Sequence, residues 1–279
     1  MIQLARIRYR YPASDWILDG IDLEIRPGTY TAVLGTSGSG KSTLGYVCNG
    51  LAPHFFAGTL EGHARVDGID TGGTTVGRLL THVGLVMQNA DAQLFHSSVE
   101  NDIAFGLESL GLPAEDIQRN IAAIAAELHI EALLQRTPQS LSGGEKRLAA
   151  LAAVLALGAP LLILDEPFAN LDWNGIQRLR RTLKEIHAAG RTVVVIEQRT
   201  QQFLADFQRC VVLDRGRVVH DGAAPRGCDA DSLRPFGLIP SYGDCGPERS
   251  KTPGTPLLSI RNLGCRIEQR EILQDITLD

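Results

Sequence analysis

Residues Gly35-Thr36-Ser37-Gly38-Ser39-Gly40-Lys41-Ser42 constrain the fold more than any other stretch of the chain. The spacing Gly-x-x-x-x-Gly-Lys-Ser puts glycines, a lysine and a hydroxyl on one tight loop. Glycines let backbone wrap an anion without Cβ clashes. Successive N–H groups and the N-terminus of a following helix would then face that anion. The mechanism demands a buried strand before the loop and a helix after it. Tyr30–Leu34 reads as that strand, and Lys41 to about Leu51 as that helix, with Thr43 in its first turn. On this reading Lys41 reaches the β- and γ-phosphates of a nucleotide as a point charge, and the Ser42 hydroxyl ligates Mg²⁺. A glycine-rich turn that happens to contain lysine is the plain alternative, but it needs neither flanking element.

Leu161-Leu162-Ile163-Leu164-Asp165-Glu166 supplies acids in step with that loop. A buried strand would deliver Asp165 rigidly to the Mg²⁺ shell. Glu166, at the strand's end, could take a proton from an attacking water.

Strand patterns fall at Ile2–Arg8, Ile17–Ile25, Ala64–Val66, Val83–Met87 and Thr192–Ile196, with a hairpin of Cys210–Leu213 and Val218–His220 around Arg215-Gly216. From Ser98 to Leu134 the pattern is helical, interrupted at Gly111-Leu112-Pro113, and a further helix spans Ile176–Ala189 before Gly190. Strands alternating with helices predict an α/β fold with a largely parallel central sheet. Residues 223–256, rich in Gly, Pro, Asp and Ser, read as a linker. Residues 257–279 then repeat the opening: Ile272-Leu273-Gln274-Asp275-Ile276-Thr277-Leu278 matches Ile17-Leu18-Asp19-Gly20-Ile21-Asp22-Leu23. Two amphipathic strands can look alike by chance, yet the match predicts a second copy of the domain, cut after its opening strands.

Leu141-Ser142-Gly143-Gly144-Glu145 has two compatible readings. It is a capping box, with Ser142 as N-cap and Glu145 three residues on. Its two glycines also bare the helix N-terminus, making a second anion site that could hold a γ-phosphate. One nucleotide has no use for two such sites unless two domains share nucleotides across an interface.

At this point the chain resembles the ABC ATPase family, whose Leu-Ser-Gly-Gly signature completes the site of the facing domain. The resemblance covers residues 1–222. It implies a P-loop ABC fold with a mostly parallel central sheet, an N-terminal antiparallel β subdomain and an α-helical subdomain at about 89–158. It implies ATP and Mg²⁺ as ligands, and Gln88 in Val86-Met87-Gln88-Asn89 as the glutamine that senses Mg²⁺ and contacts the membrane subunit. It also implies that Asp172 in Ala169-Asn170-Leu171-Asp172 faces the partner domain, and that Tyr11, with Tyr9 as runner-up, stacks on adenine. Gly50-Leu51-Ala52-Pro53-His54, Gln93-Leu94-Phe95 and Ala104-Phe105-Gly106-Leu107-Glu108 further resemble energy-coupling-factor ATPases, which power vitamin and metal-ion uptake. The expected partners are a second ABC domain, in the same full-length chain or as a homodimer, and transmembrane subunits at the cytoplasmic face of the membrane. One departure stands out. Where the family has a switch histidine, this chain has Glu197-Gln198-Arg199. Gln198 can hydrogen-bond a γ-phosphate but carries no positive charge, so slower hydrolysis is expected.

Composition narrows the alternatives. A net charge of −5 offers no basic excess for nucleic acid. A soluble tandem ATPase acting on ribosomes lacks a basic arm here, and a DNA-repair relative would carry a coiled coil between Lys41 and Ser142. A degenerate regulatory half is favoured by Gln198 and opposed by Glu166. The five cysteines form no Cys-x-x-Cys pair. The apolar run Leu148–Leu164 is shorter than the roughly 20 residues of a membrane span and is broken by Gly158 and Pro160. His54, His63, His82, His96 and His129 show no metal spacing, and Arg178, Arg180, Arg181 and Lys184 read as a solvated basic face.

Overall fold

The computed structural model describes residues 1–198, 201–224, 238, 259–267 and 270–278. The chain divides into two compact units, Met1–Ser241 and Tyr242–Asp279.

The first unit opens with an antiparallel sheet. β1 (Ile2–Arg10) pairs with β2 (Leu18–Ile25) and with β4 (Thr59–Val66), and β5 (Ile69–Asp70) extends it, in the order β2-β1-β4-β5. Along β2, Leu18, Ile21, Leu23 and Ile25 are buried while the intervening positions face outward. This is the period of a sheet with one face covered. β4 is longer than the predicted Ala64–Val66, because Thr59 to Ala64 extend the ladder to Arg10 and Leu4 of β1.

A six-stranded sheet follows, made of β3 (Tyr30–Leu34), β6 (Val83–Val86), β7 (Leu161–Asp165), β8 (Thr192–Glu197), β9 (Arg209–Asp214) and β10 (Arg217–Ala223). Its order is β10-β9-β3-β8-β7-β6. The pairs β9·β3, β3·β8, β8·β7 and β7·β6 are all parallel, and only β10 runs against its neighbour. β3, β6, β7 and β8 are buried at every position. That is why they read as unbroken apolar runs rather than alternating ones. Val33, Leu161, Ile163, Val194 and Ile196 join the core under the antiparallel sheet, with Leu44 and Val47 of α1 (Lys41–Asn49). The alternate residues Ala32, Leu34, Leu162, Leu164, Val193 and Val195 meet the helices of the other face.

Those helices are α4 (Val99–Ser109), α5 (Ala114–Leu128), α6 (Gly143–Leu155) and α7 (Trp173–Ala188). The break between α4 and α5 falls at Gly111, at φ 73°, as the Gly-Leu-Pro string predicts. Helix ends differ from prediction for identifiable reasons. α1 stops at Asn49 because Gly50 takes a left-handed conformation, φ 78°, and a short turn α2 (Leu51–His54) follows; α3 (Val76–Leu79) is equally short. α7 begins three residues before Ile176 because the Asp172 carboxylate accepts a hydrogen bond from the Gly175 amide at 2.7 Å and caps the helix. The basic face predicted on α7 is only partly solvated: Arg180 and Lys184 both pair with Asp206, at 2.7 and 2.6 Å, and Arg178 donates to the His129 carbonyl at 2.8 Å.

Within residues 223–256, Ala223 ends β10 and Leu238 is buried in the core on the helical face. The other described residue there is Ala224, so the rest of the expected linker lies outside the described residues. The second unit is a pair of antiparallel strands, β11 (Ile260–Ile267) and β12 (Arg270–Leu278), registered Leu263 to Ile276.

Helix α6 sits close on β6 because Gly84 has no side chain. A Cβ there would lie 2.3 Å from Val154 Cγ1, and valine is too stiff at χ1 to give way freely. Gly84→Ala is therefore expected to cost about 1–3 kcal/mol of stability. Adding Val154→Ala should recover most of that loss in a denaturation double-mutant cycle, whereas additive losses would show that the contact does not set the spacing.

Candidate active site

Four parallel strands end at one edge of the large sheet, and each delivers a site residue there. In register, Leu34 of β3 lies beside Glu197 of β8, Asp165 of β7 beside Ile196, and Val86 of β6 beside Leu164. Residues just past these ends are the P-loop, Gln198, Glu166 and Gln88. The carboxyl edge of a parallel sheet is where ligands bind in this class of fold.

The P-loop needs its glycines. A Cβ on Gly35 would meet the Leu213 carbonyl and Ser39 Oγ, both at 2.4 Å, and Gly40 adopts φ 99°. Gly40 is also the N-cap of α1 and has no side chain to occupy the first-turn amides, which leaves them directed at the loop's concave side. Thr36 is half-buried, Ser37 and Gly38 are exposed, and Ser39 is buried. Lys41 is 5% exposed and donates from Nζ to the Gly35 and Thr36 carbonyls at 2.9 and 2.8 Å. Burial pulls its pKa below the usual lysine value, while Glu166, Asp165 and Glu197 push back.

Asp165 is 1% exposed, and neither carboxylate oxygen has a hydrogen-bond partner of ordinary geometry among the protein atoms. Burial raises its pKa above the usual carboxylate value and neighbouring Glu166 adds to that, against the pull of the Ser42 hydroxyl, Lys41 and Arg147. A buried carboxylate without well-formed hydrogen bonds is costly. Beside a serine hydroxyl, its oxygens form a hard-donor pair of the kind that Mg²⁺ prefers. The residues present therefore fit the metal that the loop implies.

Glu166 leaves β7 at φ 45°, with its amide bonded to the Ile196 carbonyl at 2.8 Å. A left-handed non-glycine residue costs on the order of 1 kcal/mol. Here that turn directs a half-buried carboxylate toward Gln88, whose Nε2 donates to Glu166 Oε2 at 2.7 Å. Gln198 is half-buried, and its backbone N–H donates to Glu197 Oε2 at 3.3 Å. Tyr11 is half-buried beside the helix start, its hydroxyl 3.2 Å from Thr43 Oγ1. Tyr9, the runner-up for stacking, is fully buried and donates to the Phe56 carbonyl at 2.7 Å, so it belongs to the core.

Ser142, Gly143 and Gly144 start α6 in a complete capping box: the Ser142 amide donates to Glu145 Oε2 at 2.7 Å and the Glu145 amide to Ser142 Oγ at 3.4 Å. Together with Asn170, Asp172 and Asn174 they line a groove of about 410 Å³ that has no P-loop residue in its wall. The chain thus brings together Lys41, Ser42, Asp165, Glu166 and Gln88 in one cluster, and sets the signature and Asp172 on a separate surface.

Two buried charges at this site were given no role by the sequence. Arg147 is 5% exposed and donates from Nη1 to the Met87 and Gln88 carbonyls at 2.8 and 2.9 Å, and from Nη2 to the Glu166 carbonyl at 3.4 Å. The available signal was its helical register with Leu151 and Val154, which puts a cation on an apolar stripe. Glu197, also 5% exposed, accepts from the Phe168 amide at 3.0 Å. Like Asp165 it is an acid closing a buried strand.

Residues 18–169 match the ABC transporter family. A putative ABC transporter ATP-binding protein of Pyrococcus horikoshii is 38% identical over 80% of this chain and 79% of its own length. A second, of Treponema denticola, is 35% identical over 99% of this chain but only 59% of its own length. Among solved structures, cbiO1 from Clostridium perfringens, described as part of the ABC transporter complex cbiONQ, superposes with a TM-score of 0.72 at 29% identity, covering 84% of this chain and 90% of that one. With a glycine loop, a buried aspartate and a glutamate converging at one sheet edge, the chain belongs to the ABC transporter family as an ATP-binding, ATP-hydrolysing cassette.

Proposed function

We propose that this cassette powers a membrane importer of the energy-coupling-factor type, for a vitamin or a metal ion. The observation that carries the proposal is the Gln88–Glu166 hydrogen bond of 2.7 Å, which joins the candidate base to a loop leading straight into the helical subdomain. Seven and seventeen residues beyond Gln88 that subdomain presents Phe95 and Phe105, 63% and 47% exposed, in edge-to-face contact at 5.4 Å with His96 beside both. An exposed aromatic cluster is a docking feature, and its occupant in this reading is a helix of the transmembrane subunit. The likeness to cbiO1, described as part of an ABC transporter complex, supports a transport role. No helix among the described residues is long and apolar enough to cross a membrane; in this reading the cassette docks peripherally on its transmembrane subunits at the cytoplasmic face.

Within the site, Gly35 to Thr43 bind the triphosphate, Lys41 meets its β- and γ-oxygens, and Tyr11 stacks on the adenine. Ser42, Asp165 and Gln88 would hold Mg²⁺, which would neutralise phosphate charge when bound. Glu166 orients the attacking water and takes its proton, and Gln198 hydrogen-bonds the γ-phosphate. Ser142, Gly143, Gly144 and Asp172 serve a facing domain rather than this P-loop, as their separate groove suggests. That domain is a second ABC unit. The repeated strand motif in residues 257–279 and the greater length of the Treponema relative support a tandem chain.

Glu166→Gln should keep ATP binding, trap a closed dimer on gel filtration with MgATP, and slow turnover by about 10²–10⁴-fold; normal turnover would remove Glu166 from its role. Gln198→His restores a group that can carry charge beside the γ-phosphate. Its ATPase rate should exceed that of the native chain several-fold, and a rate no higher would count against the explanation of slow hydrolysis by Gln198.

A further inference from the structure

We infer that Arg147 is the positioning residue that sets the geometry between Gln88 and Glu166, and that it links this geometry to the signature end of α6. The guanidinium bridges three carbonyls on two separate loops: Met87 and Gln88 after β6, and Glu166 after β7. Those two loops carry the side chains that meet at 2.7 Å. A planar fork of five donors can span both loops at once, which the single ammonium of a lysine cannot. The charge is buried, so the three carbonyls, with Glu197, Asp165, Asp91 and Glu166 around them, provide its compensation.

Arg147 also lies one helical turn from Gly143 and Gly144, about 4.5–6 Å along the axis of α6. Gly84 seats that helix on β6 without room for a methyl group. Such a helix moves as a rigid rod, and a shift at its N-terminus displaces the guanidinium with it. Resting on the proposed two-domain reading, in which Ser142–Gly144 hold the γ-phosphate of the facing site, Arg147 reports the occupancy of that site to the water-activating pair of this one.

The test uses the purified chain and the variants R147M, R147K, Q88A, R147M/Q88A and E166Q. It measures steady-state ATP hydrolysis, Mg²⁺-dependent binding of trinitrophenyl-ATP, and amide exchange without nucleotide. In R147M, kcat should fall by about 10–100-fold while KM and the affinity for the fluorescent nucleotide stay within about threefold. R147K should fall between R147M and the native chain. R147M/Q88A should be no slower than Q88A, because the two act on one step. The Met87 and Ala169 amides, on the two bridged loops, should exchange faster in R147M. Native kcat, a rise in KM alone, or fully additive losses would overturn the inference. If R147M does not fold, native exchange at Met87 and Ala169 in R147K would overturn it equally. E166Q separates the two levels of the argument. Normal turnover in that variant removes the role of Glu166, while the exchange and binding results still decide whether Arg147 holds the loops.

Discussion

The parallel pairing of β6, β7, β8 and β3 is the constraint on which everything else rests. Because the strands share a direction and a register, their ends fall on one line, with Val86, Leu164, Ile196 and Leu34 near it. A strand running the other way would carry its acid to the opposite edge. β10 does run the other way, and it contributes no residue to the site. Burial on both faces holds the register, since a slip of one residue would exchange the residues meeting α1 for those meeting α6 and α7.

At that edge the fold gathers charges under little water: Lys41 and Asp165 at 5% and 1% exposure, Arg147 and Glu197 at 5% each. Their mutual fields offset part of the cost of burial, and the directions of the Lys41 and Arg147 shifts show burial ahead of that compensation. The lysine and arginine settle on backbone carbonyls, and Glu197 on a backbone amide. Asp165 is the group the protein atoms leave without a hydrogen bond of ordinary geometry. Of these four groups it is therefore the carboxylate of Asp165 that keeps unmet hydrogen-bonding capacity, next to the P-loop.

Much of this was legible in the sequence. The P-loop, the strand ending in Asp165-Glu166 and the signature at Ser142 are local strings whose chemistry depends on spacing alone. The helix starts were legible where a capping residue announced them, as at Ser142, and missed where the cap was read for another purpose, as at Asp172. Contacts between distant segments were not legible. Nothing near Arg147 in the chain names Met87 or Glu166, which lie 60 and 19 residues away. The pairing of Arg180 and Lys184 with Asp206 was hidden in the same way, and a basic helical face looked solvated because its acid sits on another element.

The central proposal is that Asp165, buried and without a hydrogen bond of ordinary geometry, would seat the metal that accompanies the nucleotide. Thermal unfolding of the native chain and of Asp165→Asn, each without ligand, with ATP and EDTA, and with ATP and Mg²⁺, tests it most directly. Removing a buried charge whose burial outweighs the compensation from Ser42, Lys41 and Arg147 should stabilise the ligand-free protein by about 1–3 kcal/mol, or roughly 2–4 °C per kcal/mol for a domain of this size. It should also abolish the extra stabilisation that Mg²⁺ adds to ATP. A variant that melts below the native chain without ligand, or that keeps the full Mg²⁺ increment, would contradict the account.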